Sequence, residues 1–109
     1  MRLVLGGSHQ GKLHFVYKKY GEDAHVLNSL HIYVMDAMKN GEDVMKKLDA
    51  LIKEQPDIII IGNEIGSGLV PVSQEDRDFR DVYGNVLERL AKKAESVERI
   101  ICGLEQKLK

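Results

Sequence analysis

Absences narrow the reading of these 109 residues before any motif does. There is one cysteine, Cys102, so no internal disulfide can form, and an intracellular, cytoplasmic home is the expectation. Cys102 lies in an apolar run, which predicts a small buried core residue. No apolar run approaches the roughly 20 residues that a membrane helix needs. Arg2 is followed only by Leu-Val-Leu before two glycines, too short for the apolar segment of a secretory leader. A formal net charge of −1 gives neither sign an excess, so neither nucleic acid nor an anionic membrane is an expected partner. No internal repeat or low-complexity stretch is visible, and the length suits one domain rather than two cores.

What is present begins with a strand running into a glycine loop, Arg2-Leu-Val-Leu-Gly6-Gly7-Ser8-His9-Gln10-Gly11-Lys12-Leu13. Gly6, Gly11 and Lys12 have the spacing of a phosphate loop, in which backbone N–H groups curl around phosphate oxygens and the lysine reaches the terminal phosphates. The residues from Gly6 to Lys12, with Ser8, His9 and Gln10 between the glycines, are therefore the candidate nucleotide cradle. Leu13 stands where that motif carries Ser or Thr, the hydroxyl that ligates Mg²⁺. The alternative is a plain glycine turn with Lys12 in solvent.

Further along, a helix is expected from near Gly11 to about Tyr20, stopped by Gly21. Residues 22–30 carry no clear pattern beyond a helical turn or two. His31-Ile-Tyr-Val-Met-Asp36 reads as a second strand ending in a carboxylate. At such a position Asp36 would hold Mg²⁺ in a phosphate-loop enzyme; Asp is equally a routine turn residue and helix cap. Asn40-Gly-Glu-Asp43 introduces a helix with the apolar stripe Val44, Met45, Leu48, Leu51 and Ile52, ended by Pro56. Ile58 to Ile61 are four consecutive β-branched residues, the mark of a central strand buried on both faces. Asn63 and Glu64 follow it, then a loop with Gly66, Gly68 and Pro71. Ser73 with Asp76 resembles a capping box, with Asp in the usual Glu/Gln place, before a long helix striped by Phe79, Val82, Tyr83, Val86, Leu87, Leu90, Ala91 and Ala94. Val97 to Cys102 is another strand, and the tail after Gly103 offers an edge strand. The order β-α-β-α-β-α-β, with an optional final β, predicts a three-layer α/β domain of P-loop type, reduced in size, with a mostly parallel sheet. Ligands of such sheets bind beyond the carboxyl ends of the strands, where Gly6–Lys12, Asp36 and Asn63–Gly68 would gather.

The run Asn63-Glu-Ile-Gly66-Ser-Gly68-Leu-Val-Pro71, then Arg77-Asp-Phe-Arg80-Asp81-Val-Tyr-Gly84, resembles the bifunctional adenosylcobinamide kinase/adenosylcobinamide-phosphate guanylyltransferase family of cobalamin biosynthesis. The ending Ile101-Cys102-Gly103-Leu104 to Leu108-Lys109 matches the family's closing strand, and Gly6–Lys12 falls where the family keeps its phosphate loop. The resemblance implies catalytic roles for Lys12 and Asp36, with Asp36 linked to Mg²⁺, and ATP or GTP as co-substrate. It implies a corrinoid substrate, adenosylcobinamide, and assembly into homo-oligomers. It also brings Asn63, Glu64, Arg77, Arg80 and Asp81 to the substrate or to a subunit interface; an intrahelical Arg77–Asp81 ion pair is the plainer account of that last cluster. Three departures count against full activity. Leu13 replaces the hydroxyl residue, Leu87-Glu88 stands where the family usually has Asn-Gln, and the segment bearing the guanylyl-accepting histidine is missing between about residues 21 and 30. None of His9, His14, His25 and His31 has that histidine's neighbours; His9, in the loop, has the best claim to touch phosphate. The expectation is a nucleotide-binding protein with phosphoryl transfer impaired and the guanylyltransferase half lost. Its alternative is a non-catalytic binding, regulatory or assembly module.

Overall fold

The computed structural model describes residues 1–7, 10–64 and 73–109. Its elements are β1 (Arg2–Gly6), α1 (Lys12–Tyr20), β2 (Val26–Leu27), α2 (Leu30–Lys39), α3 (Val44–Glu54), β3 (Ile59–Asn63), α4 (Gln74–Lys93), β4 (Ser96–Ile101) and β5 (Leu104–Lys107). One five-stranded sheet has the order β2-β3-β1-β4-β5. All neighbours are parallel except β4 and β5, so the tail does supply an antiparallel edge.

The isoleucine run explains the layering. Successive strand side chains point to opposite faces, so Ile58 and Ile60 join one buried cluster and Ile59 and Ile61 the other. The first cluster also holds Leu3, Leu30, Val34, Leu48, Tyr83, Val86 and Leu90, and is covered by α2, α3 and α4. The second is smaller, with Val4, Val16 and Ile100 beneath α1. Glu98 of β4 is buried on that thinner side, where it accepts hydrogen bonds from the Tyr20 hydroxyl and from Lys19 Nζ at 3.0 Å. A buried carboxylate needs such partners, and these two tie α1 to the sheet.

Side-chain caps start both helices in the later part of the chain, the one at Ser73 as expected and the one at Asp43 in place of an acidic first turn. The Asp43 side chain caps α3 by accepting from the Lys46 N–H at 3.1 Å, and Ser73 caps α4 by accepting from the Asp76 N–H at 3.0 Å. The helix at 12–20 ends on Gly21, whose N–H bonds the Tyr17 carbonyl.

Two expectations are overturned. His31–Asp36 is not a strand but lies inside α2, and the second strand is the two-residue β2 just before it. Tyr33 and Val34 favour a strand by propensity, but Leu30, Val34 and Ala37 repeat at helical spacing and are all buried, and that burial decides. Cys102 is exposed rather than buried. With φ 52° and Gly103 at φ 74°, it forms the two-residue turn of the β4–β5 hairpin, so its side chain leaves the core.

Candidate functional site

The carboxyl ends of β1, β2 and β3 meet at one cleft of about 430 Å³, lined by Lys12, Asn28, Ser29, His31, Ile61, Gly62 and Asn63. Its construction depends on two close approaches. A Cβ on Gly6 would sit 2.7 Å from the Ile100 carbonyl oxygen, and one on Gly62 would sit 2.7 Å from the Tyr83 hydroxyl. A side chain at Gly6 would press on the backbone of β4, and one at Gly62 on the side chains of Tyr83 and Leu30.

Lys12, the first residue of α1, turns back over the glycine loop. Its Nζ donates to the Gly7 carbonyl at 2.7 Å, the Gly6 carbonyl at 3.3 Å and Asn63 Oδ1 at 3.0 Å. Burial pulls the Lys12 ammonium below the ordinary lysine range, and the Glu64 carboxylate acts in the opposite direction. Glu64 is itself held by Arg99 of β4, whose Nη2 donates at 3.0 Å while Nε donates to the other carboxylate oxygen. The Tyr83 hydroxyl donates to the Asn63 carbonyl at 2.7 Å and fixes the end of β3. Gln10 reaches the hairpin turn, its Oε1 accepting from the Cys102 N–H at 2.5 Å.

On the other side of the cleft, Asn28 follows β2 and Ser29 holds a left-handed backbone at φ 60°. The Ser29 N–H donates to Asn28 Oδ1 at 2.9 Å. His31, in the first turn of α2, has Nδ1 buried with no partner among the described residues. Burial, with Lys12 second, pushes this imidazole below the ordinary 6.5, toward its neutral form.

The structure thus gathers Gly6, Gly7, Lys12 and Asn63 as anticipated, with Glu64 beside them. Asp36 is not among the cleft's lining residues. It lies exposed on α2, more than a turn beyond His31, where its charge acts on Lys47 of α3. The positional case for Asp36 at a strand end therefore falls. Arg77, Arg80 and Asp81 lie exposed on the first half of α4, where Arg77 Nε donates to the Ser73 carbonyl at 3.4 Å. Ser8, His9 and the loop with Gly66, Gly68 and Pro71 lie outside the described residues. Asn28, Ser29, His31 and Arg99 were not anticipated. The only sequence signal for the first two is a turn-forming Asn-Ser pair after two apolar residues.

A mostly parallel α/β sheet with a glycine loop between its first strand and helix, and a lysine folded over that loop, defines a small domain of the P-loop-like class. The particular family is shown by comparison. The model of the cobinamide kinase / cobinamide phosphate guanyltransferase family matches residues 10–108, and this chain belongs to that family. It is 38% identical over 52 residues to the bifunctional adenosylcobalamin biosynthesis protein CobU of Salmonella typhimurium, and to the same extent to the protein of that name from Escherichia coli. Each match covers 48% of this chain but only 29% of the relative. No helix among the described residues is long and apolar enough to cross a membrane.

Proposed function

We propose that this chain binds ATP or GTP in the cleft, with the Gly6–Lys12 loop around the phosphates, as a family member in which phosphoryl transfer is impaired and the guanylyltransferase half is lost. The observation that carries this reading is the Lys12 ammonium, held over the loop and facing Asn63 across the cleft mouth. A cation between a glycine loop and a strand end is the arrangement that grips phosphate. Kinase chemistry asks for more, because positioning and charge neutralisation at the transferred phosphoryl group supply nearly all of the catalysis.

Adenosylcobinamide or a related corrinoid is the proposed acceptor, and Arg77, Arg80 and Asp81 on the exposed start of α4 are the proposed contact for it or for another copy of the chain in a homo-oligomer. A cytoplasmic home follows from the same reading. Leu13 in the hydroxyl position favours the second reading, a non-catalytic binding or regulatory member. Calorimetric titration with ATP and GTP, followed by a phosphate-transfer assay with adenosylcobinamide, tests both. Micromolar binding with slow transfer supports the first reading, binding with no transfer supports the second, and absence of binding contradicts the proposal.

A further inference from the structure

We infer that the cleft takes its nucleotide as the free anion, without Mg²⁺. The inference rests on the nucleotide-binding reading above and specifies the form of the ligand.

Phosphate-loop proteins of the hydrolase type hold Mg²⁺ through two protein groups, the hydroxyl residue after the loop lysine and an aspartate on a neighbouring strand. In this chain the first position is Leu13, a hydrocarbon side chain at the start of α1, 36% exposed. The structure identifies the second. The strand beside β1 is β3, which ends in Asn63, and the next strand out is β2, after which Asn28 faces the cleft opposite Lys12. None of these carries a hydroxyl or a carboxylate.

The hydrogen bonds then set what each amide offers. Asn28 Oδ1 already accepts from the Ser29 N–H, and Asn63 Oδ1 already accepts from Lys12 Nζ. The –NH₂ group of each has no partner among the described residues, and an amide –NH₂ is a donor that cannot ligate a cation. Magnesium demands near-octahedral oxygen ligands and sheds its water reluctantly. The carboxylate nearest in effect to Lys12 is Glu64, and both of its oxygens are engaged by Arg99. Among the described residues, no group of three or more His, Cys, Asp or Glu side chains is placed to hold a metal ion. Among its described lining residues the cleft therefore presents one ammonium, two amide –NH₂ donors, the Ser29 hydroxyl and the His31 imidazole, but no carboxylate, a set that suits phosphate oxygens better than a divalent cation.

The test uses the unaltered protein. ATP and GTP are titrated calorimetrically in EDTA and again in excess Mg²⁺. The expected result is a Kd that agrees within about threefold between the two conditions. A Kd at least about tenfold tighter in Mg²⁺ overturns the inference while leaving nucleotide binding intact. No heat and no competition with a fluorescent nucleotide in either condition overturns the nucleotide-binding reading itself, and the inference with it. A second arm needs no lost fold to be informative. Asn28→Asp puts a carboxylate opposite the phosphates, so binding in EDTA should weaken by about tenfold, and adding Leu13→Ser should make Mg²⁺ restore it. If circular dichroism shows folded Asn28→Asp protein that binds the metal-free nucleotide as well as the parent does, the assignment of Asn28 is wrong.

Discussion

The loop after β1 and the turn after β2 face each other across one cleft, yet they have kept different things. The β1 side keeps the proposed anion grip: close-packed Gly6, the glycine loop, and Lys12 held at 2.7 Å from the Gly7 carbonyl. The β2 side presents Asn28, with its oxygen turned to Ser29, and no carboxylate among the described lining residues. In a phosphate-loop kinase these two sides act together, one holding the phosphates and the other the metal that neutralises them. On the reading proposed above they are separated here, the anion grip and the metal grip being independent parts built on different strands.

The comparison breaks most readily on its β1 side. Lys12→Ala removes the one ammonium among the cleft's described lining residues and should weaken ATP binding by about 100-fold, close to the effect of losing a charge-assisted hydrogen bond network; calorimetry reads it directly. An effect under about threefold would move the grip elsewhere. Next in size is Gly6→Ala. Its Cβ would meet a backbone carbonyl of β4 at 2.7 Å, so overpacking should cost about 1–3 kcal/mol in chemical denaturation. A neutral result would mean that β1 and β4 can part without loss.

Smaller effects sharpen the charge account. Glu64→Gln removes the carboxylate whose field opposes an incoming phosphate near Lys12 and releases Arg99. Metal-free ATP should then bind about two- to fivefold tighter, with the gain fading at high salt. A weaker complex would show that Glu64 is needed to position Lys12.

His31 tests the β2 side by proton titration. Its carbon-bound proton resonances should titrate below 6.5 in the free protein, chiefly through burial and secondly through Lys12. The native imidazole then binds its proton less readily than the unfolded one. Its contribution to stability is thus full above about 6.5 and is lost as pH falls through the native value. Bound ATP, and to a lesser degree Lys12→Ala, should move the titration upward. A midpoint at or above 6.5 without ligand would contradict the environment described for this ring.

How much of this could be read from the sequence depended on how long each signal runs. The isoleucine strand, the capped helices α3 and α4, and the glycine loop were legible, because four β-branched residues, a Ser73–Asp76 cap and a fixed Gly-Gly-Lys spacing are each strong local signals. Asn63 and Glu64 followed from the end of β3. The β2 side was not legible. Two residues, Val26 and Leu27, are too few to show a strand period, and they take their place by pairing with Ile59 and Ile60 far along the chain. With β2 carrying no period of its own, the apolar residues of α2 read as the strand and Asp36 as its carboxyl end, and nothing in the sequence singles out Asn28. Cys102 misled for a similar reason, since an apolar run does not reveal that a tight hairpin turn falls inside it.

The central claim is that the cleft grips phosphate without a cation. Any ligand that binds only the native state raises its melting temperature. The most direct measurement is therefore the melting temperature of the unaltered protein with millimolar ATP, once in EDTA and once in Mg²⁺. The account predicts upward shifts of the same size in both. A shift that occurs only when Mg²⁺ is present would contradict it.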